Sequence, residues 1–93
     1  MREIKHTKQF RRDYKREKKS NHSKNLDQEL VATVNLLASD KPLPVRMHDH
    51  ALVGNWTDHR DCHIRPDLVL IYRKPDTDTL ELVRLGSHHK LSL

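Results

Sequence analysis

The sequence predicts an α+β domain in which two N-terminal helices pack on a small antiparallel sheet. Three observations carry this. Leu26, Leu30, Val34 and Leu37 recur at helical spacing between residues 24 and 38. Residues 60–65 alternate, with Cys62 and Ile64 on one side and Asp61, His63 and Arg65 on the other. Leu68 to Tyr72 is an unbroken apolar run, as expected of a central strand covered on both faces. The 93 residues suit a single domain, residues 1–93.

The elements follow in order. Arg2 to His6 predicts a short strand with Ile4 as its apolar anchor. Thr7 is placed to cap a helix running to about Ser20, with Phe10 and Tyr14 four apart on one face. Ser20-Asn21-His22-Ser23 breaks the chain before the second helix, so the two helices form an antiparallel hairpin. Val31 and Leu36 widen the second helix's apolar stripe. Ser39-Asp40-Lys41-Pro42 ends that helix, and Pro42 and Pro44 keep the next stretch extended. Gly54-Asn55, Pro66-Asp67 and Pro75 to Asp78 mark turns. Thr79 to Leu85 is the last strand, ended by Gly86, and closes a meander of three strands.

Apolar residues make up 34% of the chain, against the usual 45–50% or so (a figure that counts glycine), so the core must be small. The net charge is +5, but it is unevenly placed. Residues 1–24 hold ten Lys and Arg against three acidic residues, while the remainder is slightly acidic. That positive field predicts a polyanionic partner, gripped through Lys8, Arg11, Arg12, Lys15, Arg16, Lys18 and Lys19. Cys62 is the only cysteine, which excludes an internal disulfide and the multi-cysteine zinc motifs. No apolar run approaches a membrane span. The expectation is a soluble, cytoplasmic protein with no membrane partner.

Eight histidines are the remaining signal, most of them in the C-terminal half. A shared metal is disfavoured by spacing. His59 and His63 would lie about 13 Å apart on an extended strand, against metal–nitrogen bonds of about 2 Å. Acid–base work on RNA fits the residue types better. It needs a base for the ribose 2′-OH, an acid for the leaving 5′-oxygen and a cation for the charged phosphorane. His50, His63 and His88 are the candidate proton carriers. Arg60, Arg65, Arg84 and Lys90 are the candidate phosphate cations, with Asp61 and Asp67 to orient or charge an imidazole. Arg84 is expected on the face that carries Leu80 and Leu82. His6, His22, His48, His59 and His89 are expected to be solvated surface residues, and Trp56 to be a lid on the core.

The string L-V-G-N-W, followed by R-D-C-H-I-R-P-D-L-V-L-I-Y and closed by R-L-G-S-H, resembles the YafQ-like toxins of the RelE/ParE superfamily. The resemblance is dense from about Leu43 to His88; the N-terminal half matches more in element order than in residues. It implies a RelE-like, microbial-RNase-like fold and a ribosome-dependent enzyme that cuts mRNA in the ribosomal A site without a metal or other cofactor. It places the catalytic set on His50, His63, Asp67 and His88, with Arg84 as phosphate contact and Asp61 in the same motif. It implies a cognate antitoxin that wraps the toxin, with operator DNA reached only through that antitoxin. The ribosome's small subunit, its RNA and the mRNA would be the other partners. The family's aromatic residue four places after the last histidine is Ser92 here.

Two other readings compete: a ParE-like gyrase poison, and a non-catalytic basic module that binds RNA or the ribosome. If the basic helix alone acted, neutralising Lys15, Arg16, Lys18 and Lys19 would abolish activity and His63→Ala would change nothing. The expected result is the loss of mRNA cutting in His63→Ala, with no effect of the wild-type protein in a gyrase supercoiling assay.

Overall fold

Local signals account for most of the elements in the computed structural model, which describes residues 1–93. Strand β1 (Glu3–His6) leads into helices α1 (Lys8–Lys18) and α2 (Leu26–Ala38). Short 3₁₀ turns at Val45–Met47 and Gly54–Trp56 flank β2 (His50–Ala51). Strands β3 (Arg60–Arg65), β4 (Leu68–Arg73) and β5 (Thr79–Gly86) follow, and α3 (His88–Leu91) ends the chain. Thr7 starts α1: its hydroxyl accepts the Phe10 N–H at 2.9 Å. Helix α2 begins at Leu26, two residues later than the periodicity suggested, because Asn25 adopts a left-handed φ of 59°. No helix is long and apolar enough to cross a membrane.

The strands form one five-stranded sheet in the order β1-β5-β4-β3-β2. The expectation of an antiparallel meander holds for β3 to β5; β2, which the sequence did not signal, adds a fourth antiparallel strand, and β1 instead pairs parallel to β5 with Ile4 opposite Leu80. The sheet is therefore mixed. The helical hairpin lets the first strand run alongside the last, where it fills an otherwise open edge. Ile4 is not a buried anchor, being 40% exposed, so backbone pairing rather than side-chain burial holds β1. Val31 likewise faces outward.

The sheet divides two apolar layers. On the helical side, Phe10, Leu26, Leu30, Val34, Leu37 and Met47 pack on Cys62, Ile64, Leu68, Leu70, Tyr72, Leu80, Leu82 and Leu85. On the other side Val69 and Ile71 are covered by Leu91, with Leu52, Trp56 and Val83 against them. Strand β4 is buried on both faces, as its sequence requires. Each buried Leu, Ile or Val contributes about 1.5–3 kcal/mol. Cys62 lies in the helical-side core, and burial pushes its thiol up to about 12, so it stays protonated.

Beyond Leu82, β1 has ended and the outer edge of β5 needs other partners. Helix α1 supplies them. The Thr7 N–H donates to the Leu82 carbonyl at 3.0 Å, and the Thr7 hydroxyl to the Val83 carbonyl at 2.8 Å. Asp13 Oδ2 accepts the Leu85 N–H at 3.0 Å, and Arg16 Nη2 donates to the Leu85 carbonyl at 2.7 Å. A side chain at Gly86 would meet that guanidinium, since a Cβ there would sit 2.7 Å from Arg16 Nη2. Asp13 is wholly buried and also accepts from Arg84, Arg16 and Gln9.

Burial pushes the Asp13 carboxyl up, but the bonds from Arg84, the Leu85 N–H and Gln9 outweigh it and hold the group below its ordinary 3.8. Its contribution to stability is therefore complete above that value and is lost as pH falls through the lower folded one. Asp13→Ala strands the Arg84 guanidinium and the Leu85 N–H, and takes from Arg16 one of its three partners. Urea denaturation at neutral pH is expected to show a loss of about 3–5 kcal/mol.

Candidate active site

The face of the sheet away from α2 carries most of the candidate side chains. Strict alternation puts Asp61 and His63 there, opposite Cys62. A bulge between His63 and Arg65 then breaks the alternation and places Arg65 opposite Leu68, on the helical side. Arg65 bonds Glu29 of α2 and the Lys24 carbonyl, so it is a structural tie and not a phosphate cation of this face. A second irregularity acts the other way on Arg84. The pairing of β4 with β5 slips between Ile71 and Tyr72, so Tyr72 faces Leu82 while Ile71 faces Arg84. Arg84 therefore leaves the side of Leu80 and Leu82, where the sequence placed it, and joins the face of Ile71.

An open cleft of about 740 Å3 lies over this surface. His50, Asp61, Arg84 and His88 line it with Leu52, Trp56 and Ser92. The His63 and His88 rings meet nearly edge to face, centroids 4.8 Å apart. The His48 ring also neighbours His63, centroids 5.4 Å apart. His50 pairs across the sheet with Asp61, and its Nδ1 lies 3.1 Å from Asp61 Oδ1. That nitrogen is directed at the His48 carbonyl, 2.7 Å away. Asp61 Oδ1 is therefore buried without a hydrogen-bond partner beneath the imidazoles.

Charge follows from this packing. Burial pushes the Asp61 carboxyl up, and the surrounding His50, His63 and His88 pull it part of the way back. Burial pushes His63 down, and the neighbouring His88 adds to that. Arg84 is held by Asp13 at 2.7 Å, which fixes the guanidinium at the cleft. Trp56 both covers the second apolar layer and lines the cleft. No group of three or more His, Cys, Asp or Glu side chains is arranged to hold a metal ion.

Of the residues singled out in the sequence, His50, His63, His88, Asp61 and Arg84 converge on one face. Asp67 does not touch the three histidines. It sits on the β3–β4 turn, 72% exposed, with Oδ2 2.9 Å from His22 Nε2. Lys90 is exposed on α3 and lines the same polar cleft as Asp67. Arg60 departs from the sequence reading: it pairs with Asp49 and lies opposite Tyr72, on the other side of the sheet from Asp61. Lys8, Arg11, Arg12, Lys15, Lys18 and Lys19 are exposed along or just after α1, Lys18 pairing with Asp27. Arg16 instead turns inward to Asp13, Glu17 and Leu85, which removes it from the free basic face.

The sequence reading missed His22, Asp13 and Glu17, and the contact that His48, exposed as expected, makes with His63. For the two acids a signal existed. Phe10, Asp13, Tyr14 and Glu17 follow the spacing of one helical stripe, so the carboxylates had to share the buried face of Phe10. His22 lies in a loop, where no periodicity shows burial.

Comparison with known proteins places the chain. Residues 2–93 match a family described as the bacterial toxin of type II toxin-antitoxin system, YafQ. The chain is 37% identical over 93 residues to a putative toxin YafQ of Haemophilus influenzae, covering 97% of this chain and 91% of that protein. It is 34% identical over 90 residues to the mRNA interferase toxin YafQ of Escherichia coli K12, covering 97% and 95%. Among solved structures, a DinJ–YafQ complex of E. coli superposes with a TM-score of 0.84 at 34% identity, over 98% of each chain.

The geometry sets the titration order. His63 should titrate below its ordinary 6.5, and His88→Ala should raise its midpoint by removing a neighbouring positive charge. Proton-detected NMR titration of the ring resonances measures both.

Proposed function

The chain belongs to the YafQ family of bacterial toxins of type II toxin–antitoxin systems, and on that premise we propose that it is a ribosome-dependent mRNA endoribonuclease. The reading rests on one observation above all: three imidazoles, a buried carboxylate and a fixed guanidinium share one open sheet face. The naming of E. coli relatives as mRNA interferases supports it.

The reaction follows from those groups. The ribose 2′-oxygen attacks the adjacent phosphorus and the bond to the 5′-oxygen breaks. The products are a 2′,3′-cyclic phosphate and a free 5′-hydroxyl. His63 takes the 2′-proton, because its depressed affinity leaves it a free base at neutral pH. His88, ring to ring with it, gives a proton to the leaving 5′-oxygen. His50 beside Asp61 completes the proton-carrying set, and Asp67 offers a carboxylate from the neighbouring polar cleft that Ser87 also lines. Arg84 stabilises the phosphorane charge. The imidazoles move the protons, so no metal is required for these steps.

The ribosome supplies orientation by presenting the message in its A site. Exposed Lys8, Arg11, Arg12, Lys15 and Lys19 grip ribosomal RNA phosphates, a contact that weakens steeply with salt. A cognate antitoxin neutralises the protein, as the E. coli complex of YafQ with DinJ suggests by kinship. Operator DNA is reached only through that antitoxin, and the site of action is the cytoplasm, where ribosomes translate.

Primer extension on a translated message after brief expression tests this. Wild type should give discrete in-frame cuts. His63→Ala and His88→Ala should each reduce them by about 10²–10⁴-fold. Unchanged cutting in His50→Ala/His63→Ala/Asp67→Ala/His88→Ala would remove the site assignment.

A further inference from the structure

Glu17 is a buried acid for which the reaction above has no use. Its side chain is 2% exposed, on the inner face of α1. Both its oxygens are engaged. Oε2 accepts from Arg16 Nε at 2.9 Å, and Oε1 lies 2.5 Å from His22 Nδ1. The other ring nitrogen, Nε2, lies 2.9 Å from Asp67 Oδ2. His22 thus stands between a buried carboxylate and an exposed one. A neutral imidazole has one N–H and would turn a lone pair on one of those carboxylates. Only the doubly protonated ring donates to both.

The ring is also held from its own backbone. Ser20 Oγ accepts the His22 N–H at 3.0 Å and donates to the Glu17 carbonyl at 2.8 Å. Asp67 has no comparable support of its own, since it projects from an exposed turn. Around the pair is a cleft of about 330 Å3 without one apolar lining residue, formed by Glu17, Ser20, Asn21, His22, Asp67, Ser87 and Lys90. Ser87 precedes His88, so this cleft adjoins the catalytic face.

We propose that His22, backed by Glu17, is a positioning residue that holds the Asp67 carboxylate at the edge of the catalytic cleft. The inference rests on the assignment of Asp67 to the catalytic set. The charged groups around His22 are Glu17 and Arg16 on α1, Asp67 and Arg65 at the β3–β4 turn, and Lys90 on α3. Burial pushes His22 down, but the bonds to Glu17 and Asp67 raise it above its ordinary 6.5. The same contact lowers the Asp67 carboxyl.

Two measurements on the full chain decide it. NMR titration should place the His22 midpoint above 6.5 in wild type. It should fall in Asp67→Asn, which removes one of the two carboxylates facing the ring by a change on an exposed turn. A midpoint that does not move in Asp67→Asn sinks the bridge. In a purified translation system, His22→Ala should lower kcat about tenfold with KM within about twofold. His22→Ala/Asp67→Ala should then be no slower than Asp67→Ala alone. Wild-type rates in His22→Ala, or losses that simply multiply in the double variant, overturn the positioning role. Wild-type rates in Asp67→Ala overturn the catalytic assignment of Asp67 and the positioning role with it, while the titration still judges the bridge by itself.

Discussion

One buried carboxylate joins the helices to the sheet. Asp13 receives the Leu85 N–H, Arg84, Arg16 and Gln9 in a pocket without solvent. Taking a carboxylate out of water costs several kcal/mol, and only a full set of donors offsets that. The consequence is a single docking position for α1. The helix replaces the missing neighbour of β5 and, through the same carboxylate, holds Arg84 at the cleft. The contact that closes the edge of the sheet is also the contact that fixes Arg84 at the cleft.

The sheet separates two tasks. Its helical side is a nearly continuous apolar layer and provides most of the stability. Its other side has a small apolar cluster, and the imidazoles gather beside it. Asp61 is buried on this side with an oxygen unpaired, and the strand pairing that places it also places His50 directly across. The two register slips are where the chain departs from simple alternation. One sends Arg65 to the helices, and the other brings Arg84 to the cleft. Both occur in ladders of the central strand, so the sheet's regularity is given up only where a cation must change sides.

Helix α1 has two electrostatic characters. Its outer face carries the exposed lysines and arginines, whose field reaches only about a Debye length, roughly 8 Å at physiological salt. Its inner face carries Asp13 and Glu17, one turn apart and linked by Arg16. The net positive charge of this segment therefore understates how much of its chemistry is acidic and directed inward. Solvent screening weakens the outer charges and leaves the buried ones close to full strength.

The sequence by itself determined the two long helices and the strands β1, β3, β4 and β5, and it singled out the candidate residues; it gave no sign of β2 or α3. Thr7 as a cap, the leucine stripe of α2, the alternation of β3 up to His63 and the apolar run of β4 are local patterns, set by residues close together in the chain. The motif residues His50, His63, His88, Asp61 and Arg84 were legible from type and spacing, and the resemblance named the family. Only the tertiary structure decided that β1 lies parallel to β5, that Arg65 and Arg60 turn away, and that Asp67 meets His22. Each of these depends on a partner distant in sequence or on a one-residue slip in pairing, as between Asp67 and His22, 45 residues apart. A period-two pattern cannot show a slip, because a single extra residue inverts every side chain beyond it while leaving the local composition unchanged.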